Sequence, residues 1–168
     1  MEQTQDKTTR IIILALLIVV AIFSRFLPHP PNFTAVAAVA LFAGVHFRNR
    51  FIAFAIPLLA MLASDLIIGL HDTLIAVYAA FALTVGIGLW ISGKAKAHII
   101  ALGAVSASVL FFLITNFAVW MSGFMYPMSF NGLLMCYAAA LPFFQNTLAG
   151  DLFFTALLFG TYHLVNYK

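Results

Sequence analysis

Hydrophobic residues fill six long stretches of this chain, and the gaps between them collect prolines, glycines, amides and most of the charges. Stretches of this length and apolarity read as membrane-crossing helices. The first is expected over residues 10–27, stopped by Pro28, Pro30 and Pro31, because proline lacks a donor and disfavours helix in its predecessor. A second, short and alanine-rich, is expected over residues 33–47 behind Asn32 as N-cap. Small residues such as Ala40 and Gly44 suit it to tight packing. The third covers residues 51–70 with Pro57 inside it, the fourth 73–92 up to the break at Gly93, and the fifth 97–122. Residues 131–165 have no charged break. As one helix they would reach roughly 50 Å at the 1.5 Å rise, too long for one upright crossing of about 30 Å. Pro142 is expected to divide them into a kinked or interfacial piece over residues 131–141 and a last helix over residues 142–165.

Charge turns this pattern into a topology. Seven of the eight Lys and Arg residues occupy alternate gaps: Lys7 and Arg10, Arg48 and Arg50, Lys94 and Lys96, then Lys168. Cations in short loops are retained on the cytoplasmic side. The expectation is an all-α membrane protein, a six-helix bundle forming one domain over residues 1–168 of a bacterial inner membrane, with both termini cytoplasmic. Seven crossings are the alternative, since Lys168 outside would violate the charge rule only slightly. The apolar run after the polar head lacks a small-x-small cleavage site, so it is expected to be a retained helix rather than a signal peptide.

Composition agrees: 64% of the 168 residues are hydrophobic, 8% are charged and the mean hydropathy is +1.09. That balance excludes an ordinary soluble domain. The net charge of +3 is scattered at segment ends and forms no patch for nucleic acid. Cys136 is the single cysteine, so neither an internal disulfide nor a cysteine metal cage is expected.

Candidate chemistry lies in the polar residues that an apolar helix should not carry. A carboxylate near the middle of a spanning helix costs about 2.5–3.5 kcal/mol on insertion scales, so it needs a partner, a wet cavity or a function. Asp65 and Asp151 are in that position. Ser108, Phe112, Asn116 and Trp120 recur every four residues and share one stripe. The topology gathers them in the outer half with Gln145 and Asn146 on the last helix, Tyr78 on the fourth and Arg25 at the end of the first. Tyr126 lies in the outer loop after the fifth helix. Such a concentration fits a small-molecule pocket with aromatic walls and a few convergent polar groups. Asp65, Asn116, Trp120 and Asn146 are the first candidates for substrate contacts, and Arg25, Tyr78, Tyr126 and Gln145 the second. Each has a structural alternative. Asn116 and Trp120 can serve helix contacts or an aromatic belt; Arg25 can snorkel or pair with Asp65; Asp151 can lock helices through Thr147 or Thr155. The histidines have no metal-site spacing, no serine sits in a nucleophile elbow, and there is no Walker motif. Neither enzyme activity nor a cofactor is expected.

The ordered motifs resemble the substrate-binding (S) components of energy-coupling factor transporters, which import vitamins and metal ions. The resemblance rests on Arg10 opening the first helix, the Pro-rich loop before Asn32, Phe33 and Thr34, and Leu41, Phe42, Ala43 and Gly44 ending a short helix. It continues through Ser64, Asp65 and Leu66 before Gly69, and through Pro142, Gln145 and Asn146 in the last segment. The chain also looks like an uncharacterised bacterial membrane family with the same Pro-His-Pro-Pro-Asn-Phe-Thr signature. The resemblance implies uptake of a small nutrient, with a transmembrane coupling subunit and ATPases as partners and toppling of the bundle as the transport step. One feature departs from the S components: instead of an alanine pair four apart, the first helix has Ala15 and Ala21 among bulky residues. A solitary carrier, or a docking face using Ala35, Ala38 and Ala40, is the alternative. Assembly into a larger complex, with the polar groups serving helix packing only, is the competing function.

Overall fold

The computed structural model describes residues 2–166, which form six helices: α1 (Glu2–Phe26), α2 (Val36–His46), α3 (Arg50–Ile68), α4 (Leu74–Ile91), α5 (Ala97–Met121) and α6 (Phe130–Asn166). Lys168 lies outside the described residues, as do the side chains of Lys7 and Arg10, so the fold bears on the charge pattern only through Arg48, Arg50, Lys94 and Lys96. Among the described residues, α3, α4 and α5 are long and apolar enough to cross a membrane; residues Ala15–Phe26 of α1 and the whole of α2 are shorter apolar helices.

The bundle is organised around α2. All nine residues from Val36 to Gly44 are buried, as expected for a helix that is apolar on every side. It touches each of the other five helices. Its closest neighbour is α4, where Gly44 faces Gly88. A Cβ on Gly44 would lie 2.4 Å from the Val85 carbonyl oxygen and 2.8 Å from the Gly88 Cα, so only glycine allows these backbones to meet. Around this crossing Leu17 and Ala21 of α1, Ala53, Ile56 and Ala60 of α3, and Val77 and Phe81 of α4 complete the core. At the far end Phe42 stacks on His46 with centroids 4.1 Å apart, and Tyr162 meets His46 edge-on at 4.2 Å. The outside of the bundle is apolar: Phe51, Ile75 and Trp90 are each more than 80% exposed.

Besides α1, which begins at Glu2 rather than at residue 10 because the polar head continues the helix, three expectations need correction. First, α2 begins at Val36, not at residue 33, and Asn32 does not cap it. Asn32 takes a left-handed turn (φ 67°), a conformation Asn tolerates better than most residues. The cap comes from another helix: Ser24 of α1 accepts a hydrogen bond from the Ala35 backbone N–H (3.0 Å) while donating to the Ala21 carbonyl (2.8 Å). Secondly, the kinked or interfacial piece over residues 131–141 and the helix over 142–165 are one helix. It starts where Ser129 accepts from the Gly132 N–H (3.2 Å) and continues through Pro142. Proline removes one backbone bond, but α5 holds the segment before it from the side. Tyr137 donates to the Leu113 carbonyl (2.7 Å) and the Cys136 thiol to the Asn116 carbonyl (3.4 Å). Thirdly, Ala35, Ala38 and Ala40 are at most 1% exposed. They build the centre of the bundle and offer no face for docking.

Candidate functional site

At eleven residues, α2 rises only about 16 Å, and its N-terminal end stops inside the ring formed by the longer helices. Above it the bundle is hollow. Val36 and Ala37 lie at the inner end of a cavity of about 480 Å³ to which all six helices contribute. On α6 the lining runs from Ala140 down to Asp151, a depth of about 16 Å at the helical rise.

Phenylalanines supply much of the apolar part of the cavity wall. Phe81 and Phe111 meet with centroids 5.3 Å apart and Phe112 and Phe144 at 4.9 Å, with Phe143 beside them. Polar side chains make up nearly half of the lining. Asn116 and Thr115 line it from α5, each also bonded to its own helix: Asn116 Nδ2 donates to the Phe112 carbonyl and Thr115 Oγ1 to the Phe111 carbonyl, both at 2.8 Å. Thr147 lines it from α6 and donates to the Phe143 carbonyl. Two loops supply the rim, residues 27–35 with His29, Asn32 and Thr34, and residues 69–73 with His71 and Thr73. Gly150 lets the first loop lie against α6, since a Cβ there would sit 3.1 Å from the Phe33 Cα.

Two polar assemblies border the hollow. In the first, Arg25 reaches from α1 to α3. Its Nη1 lies 2.6 Å from Asp65 Oδ1, an ionic contact without hydrogen-bond alignment, and donates to Ser64 Oγ at 2.5 Å. Tyr78 of α4 donates to Asp65 Oδ2 at 2.9 Å. Asp65 is fully buried behind Arg25 and joins three helices. Arg25, whose contacts on α3 all run through Nη1, is the member that lines the cavity. The second assembly is at the floor. Asp151, 3% exposed, lines the cavity and accepts a hydrogen bond from Ser108 Oγ of α5 at 2.6 Å.

Of the eight residues singled out from sequence, then, the structure brings Arg25 and Asn116 to the cavity wall. Asp65 and Tyr78 stand behind Arg25 as its support. Trp120 does not line the cavity; its Nε1 donates to the Pro127 carbonyl (3.1 Å) and pins the α5–α6 connection. Tyr126 in that connection, Asn146 and the exposed Gln145 are likewise absent from the lining. Sequence reasoning missed Thr115, Thr147 and the rim residues as cavity residues. Thr147 precedes Asp151 by one helical turn and Thr115 adjoins Asn116, so extending the polar stripes would have found both. Loop approach leaves no comparable signal. Asp151 does lock two helices, but through Ser108 rather than Thr147 or Thr155; the Thr155 hydroxyl is buried without a hydrogen-bond partner. Among the described residues no three His, Cys, Asp or Glu side chains gather as metal ligands.

No curated protein and no solved structure matches this chain. A family model does, over residues 5–168. With nearly the whole sequence covered, the chain belongs to DUF6580, a family of unknown function.

Proposed function

We propose that this protein is a membrane-embedded binding subunit, or a solitary carrier, that takes up a small ring-bearing nutrient. The observation that carries the reading is the hollow above α2. Its volume of about 480 Å³ falls in the range of ligand pockets, roughly 300–1,000 Å³, and it sets phenylalanines beside polar groups drawn from all six helices and two loops, a mixture able to hold a small ring-bearing molecule. A bundle that needed its polar groups only for packing would close on them, because unfilled space forfeits dispersion contacts.

The membrane reading draws on the three long apolar helices and on the exposed apolar girdle around them, which would be unfavourable in water. In the proposed topology the chain crosses a bacterial inner membrane six times. Arg48, Lys94 and Lys96 lie in the connections, and Arg50 opens α3, at the end of the bundle away from the cavity, so the charge rule turns the cavity outward. The sequence resemblance to S components supports the transport role; an ATP-driven coupling partner follows from that resemblance alone. The chain is read as a non-enzyme.

The rival reading, an assembly subunit with purely structural polar groups, is favoured by the two satisfied locks, Arg25–Asp65–Tyr78 and Ser108–Asp151. The test therefore uses a wall residue outside both. Protein purified in mild detergent should retain a small molecule detectable by native mass spectrometry. Asn116→Ala should lower its occupancy by about tenfold, the loss of roughly 1.4 kcal/mol for a hydrogen bond within the ordinary range. The helical content should be unchanged. Empty wild-type protein, or an Asn116→Ala variant that unfolds, would favour the assembly subunit.

A further inference from the structure

The floor of the cavity carries a carboxylate with no cation to match it. Asp151 is only 3% exposed and borders the hollow, yet among the described residues the ion pair is Arg25–Asp65, and no Lys, Arg or His lies within 4.0 Å of Asp151. A buried ionised carboxylate needs a paired charge and several donors. Asp151 receives one hydrogen bond, from Ser108 to Oδ2, whereas a carboxylate can accept about four. The Ser108 hydroxyl has a single proton and a second acceptor within reach, the Ala104 carbonyl at 3.1 Å. It can donate to an ionised Asp151, or accept from a protonated one and turn its own proton to Ala104. Before a ligand arrives, Asp151 can thus stay neutral without being left unbonded, and on pairing with an incoming cation it releases its proton to water in the cavity it borders.

Phenylalanines share the lining of this hollow with the acceptor. Phe111, Phe112 and Phe144 line the cavity, and such rings attract a cation within about 6 Å of a centroid. A carboxylate that shares a hollow with phenylalanine rings, with no other anion free of a partner among the described residues, discriminates between ligand charges. A protonated nitrogen gains most here, because it alone pairs with the ionised carboxylate; a neutral donor gains a hydrogen bond only, and an anion can be met only by the protonated acid, without charge pairing. The Arg25 charge does not offset this, because Asp65 already neutralises it at 2.6 Å. Resting on the binding role proposed above, we infer that the ligand is an organic cation, a ring-bearing molecule whose protonated nitrogen sits against Asp151 at the cavity floor.

The test compares three probes of one shape in the detergent-purified full chain: benzylamine, benzyl alcohol and benzoate, titrated at millimolar concentration by calorimetry. Benzylamine should bind at least about tenfold more tightly than either of the others, a difference of about 1.4 kcal/mol. Asp151→Asn keeps the shape and an acceptor for Ser108, and should remove that preference while benzyl alcohol binds as before. Should Asp151→Asn not fold, the wild-type comparison stands alone and still decides. Benzylamine binding no better than benzyl alcohol, or not binding at all, overturns the inference. So does an unchanged preference in Asp151→Asn. If benzoate or benzyl alcohol binds and benzylamine does not, the cavity captures ligands of another charge and the binding role survives. The co-purified molecule sought above distinguishes the same two failures: a retained anion sinks the cation, an empty protein sinks the binding role.

Discussion

At the scale of single residues, expense is what made the sequence informative. An acid in an apolar helix has to be satisfied, so Asp65 and Asp151 were visible without any structure. Their partners were less so. Arg25–Asp65 was one pairing among several allowed ones, and the Tyr78 hydroxyl and Ser108 became partners only when three or two helices were brought together. The triad gives a graded expectation for stability. Tyr78→Phe removes a hydrogen bond to a charged acceptor and should cost about 1.5–3 kcal/mol. Asp65→Ala strands the guanidinium and should cost at least as much, about 3 kcal/mol, near the lower end for a broken buried pair because Arg25 borders the cavity. Thermal unfolding in detergent would show both midpoints lowered, Asp65→Ala the further. An unperturbed Asp65→Ala midpoint would mean the triad does not hold the helices together.

At the scale of elements, α3, α4 and α5, with charged or glycine-marked ends, are legible, whereas α1 extends eight residues beyond its expected start into the polar head and α2 and α6 have subtler ends. The observed bounds of α3, α4 and α5 lie within two residues of the expected ones because Arg50, Gly69, Gly93 and the residues after Met121 mark them locally. The start of α2 was misread because its cap, Ser24, belongs to another helix. Pro142 was given the power to end a helix, which it lacks when neighbouring turns are bonded to α5. Close helix approach makes the sharpest prediction here. Gly44→Ala puts a methyl group against backbone on α4, with no side chain to move aside, and should destabilise by about 1–3 kcal/mol or more. Gly86→Ala, two residues before Gly88, meets nothing within 4 Å and should be neutral or stabilise by up to about 1 kcal/mol through helix propensity. Denaturation of the two variants side by side would check the α2–α4 contact; equal effects would contradict it.

At the scale of the whole molecule, the sequence pointed to a polar outer half before the hollow itself could be seen. What it could not convey was why the hollow exists, since a helix too short for its surroundings is recognised only once those surroundings are built. The proposed orientation can be checked in cells. Cys136 is 2% exposed, so it should stay silent toward a membrane-impermeant maleimide. Single cysteines replacing Asp72 or Met125, both exposed, should be labelled from outside. Those replacing Arg48 or Lys94, also exposed, should be labelled only after the membrane is opened. The reverse pattern would turn the bundle over.

The glycine-to-glycine seam between α2 and α4 bears on how any cargo would leave. Along this seam main chain presses against main chain, with no side chain that could swing aside. A molecule in the chamber therefore has no route between α2 and α4. A carrier of the kind proposed above would then release its cargo through the mouth by which it arrived, or by changing its own posture in the lipid.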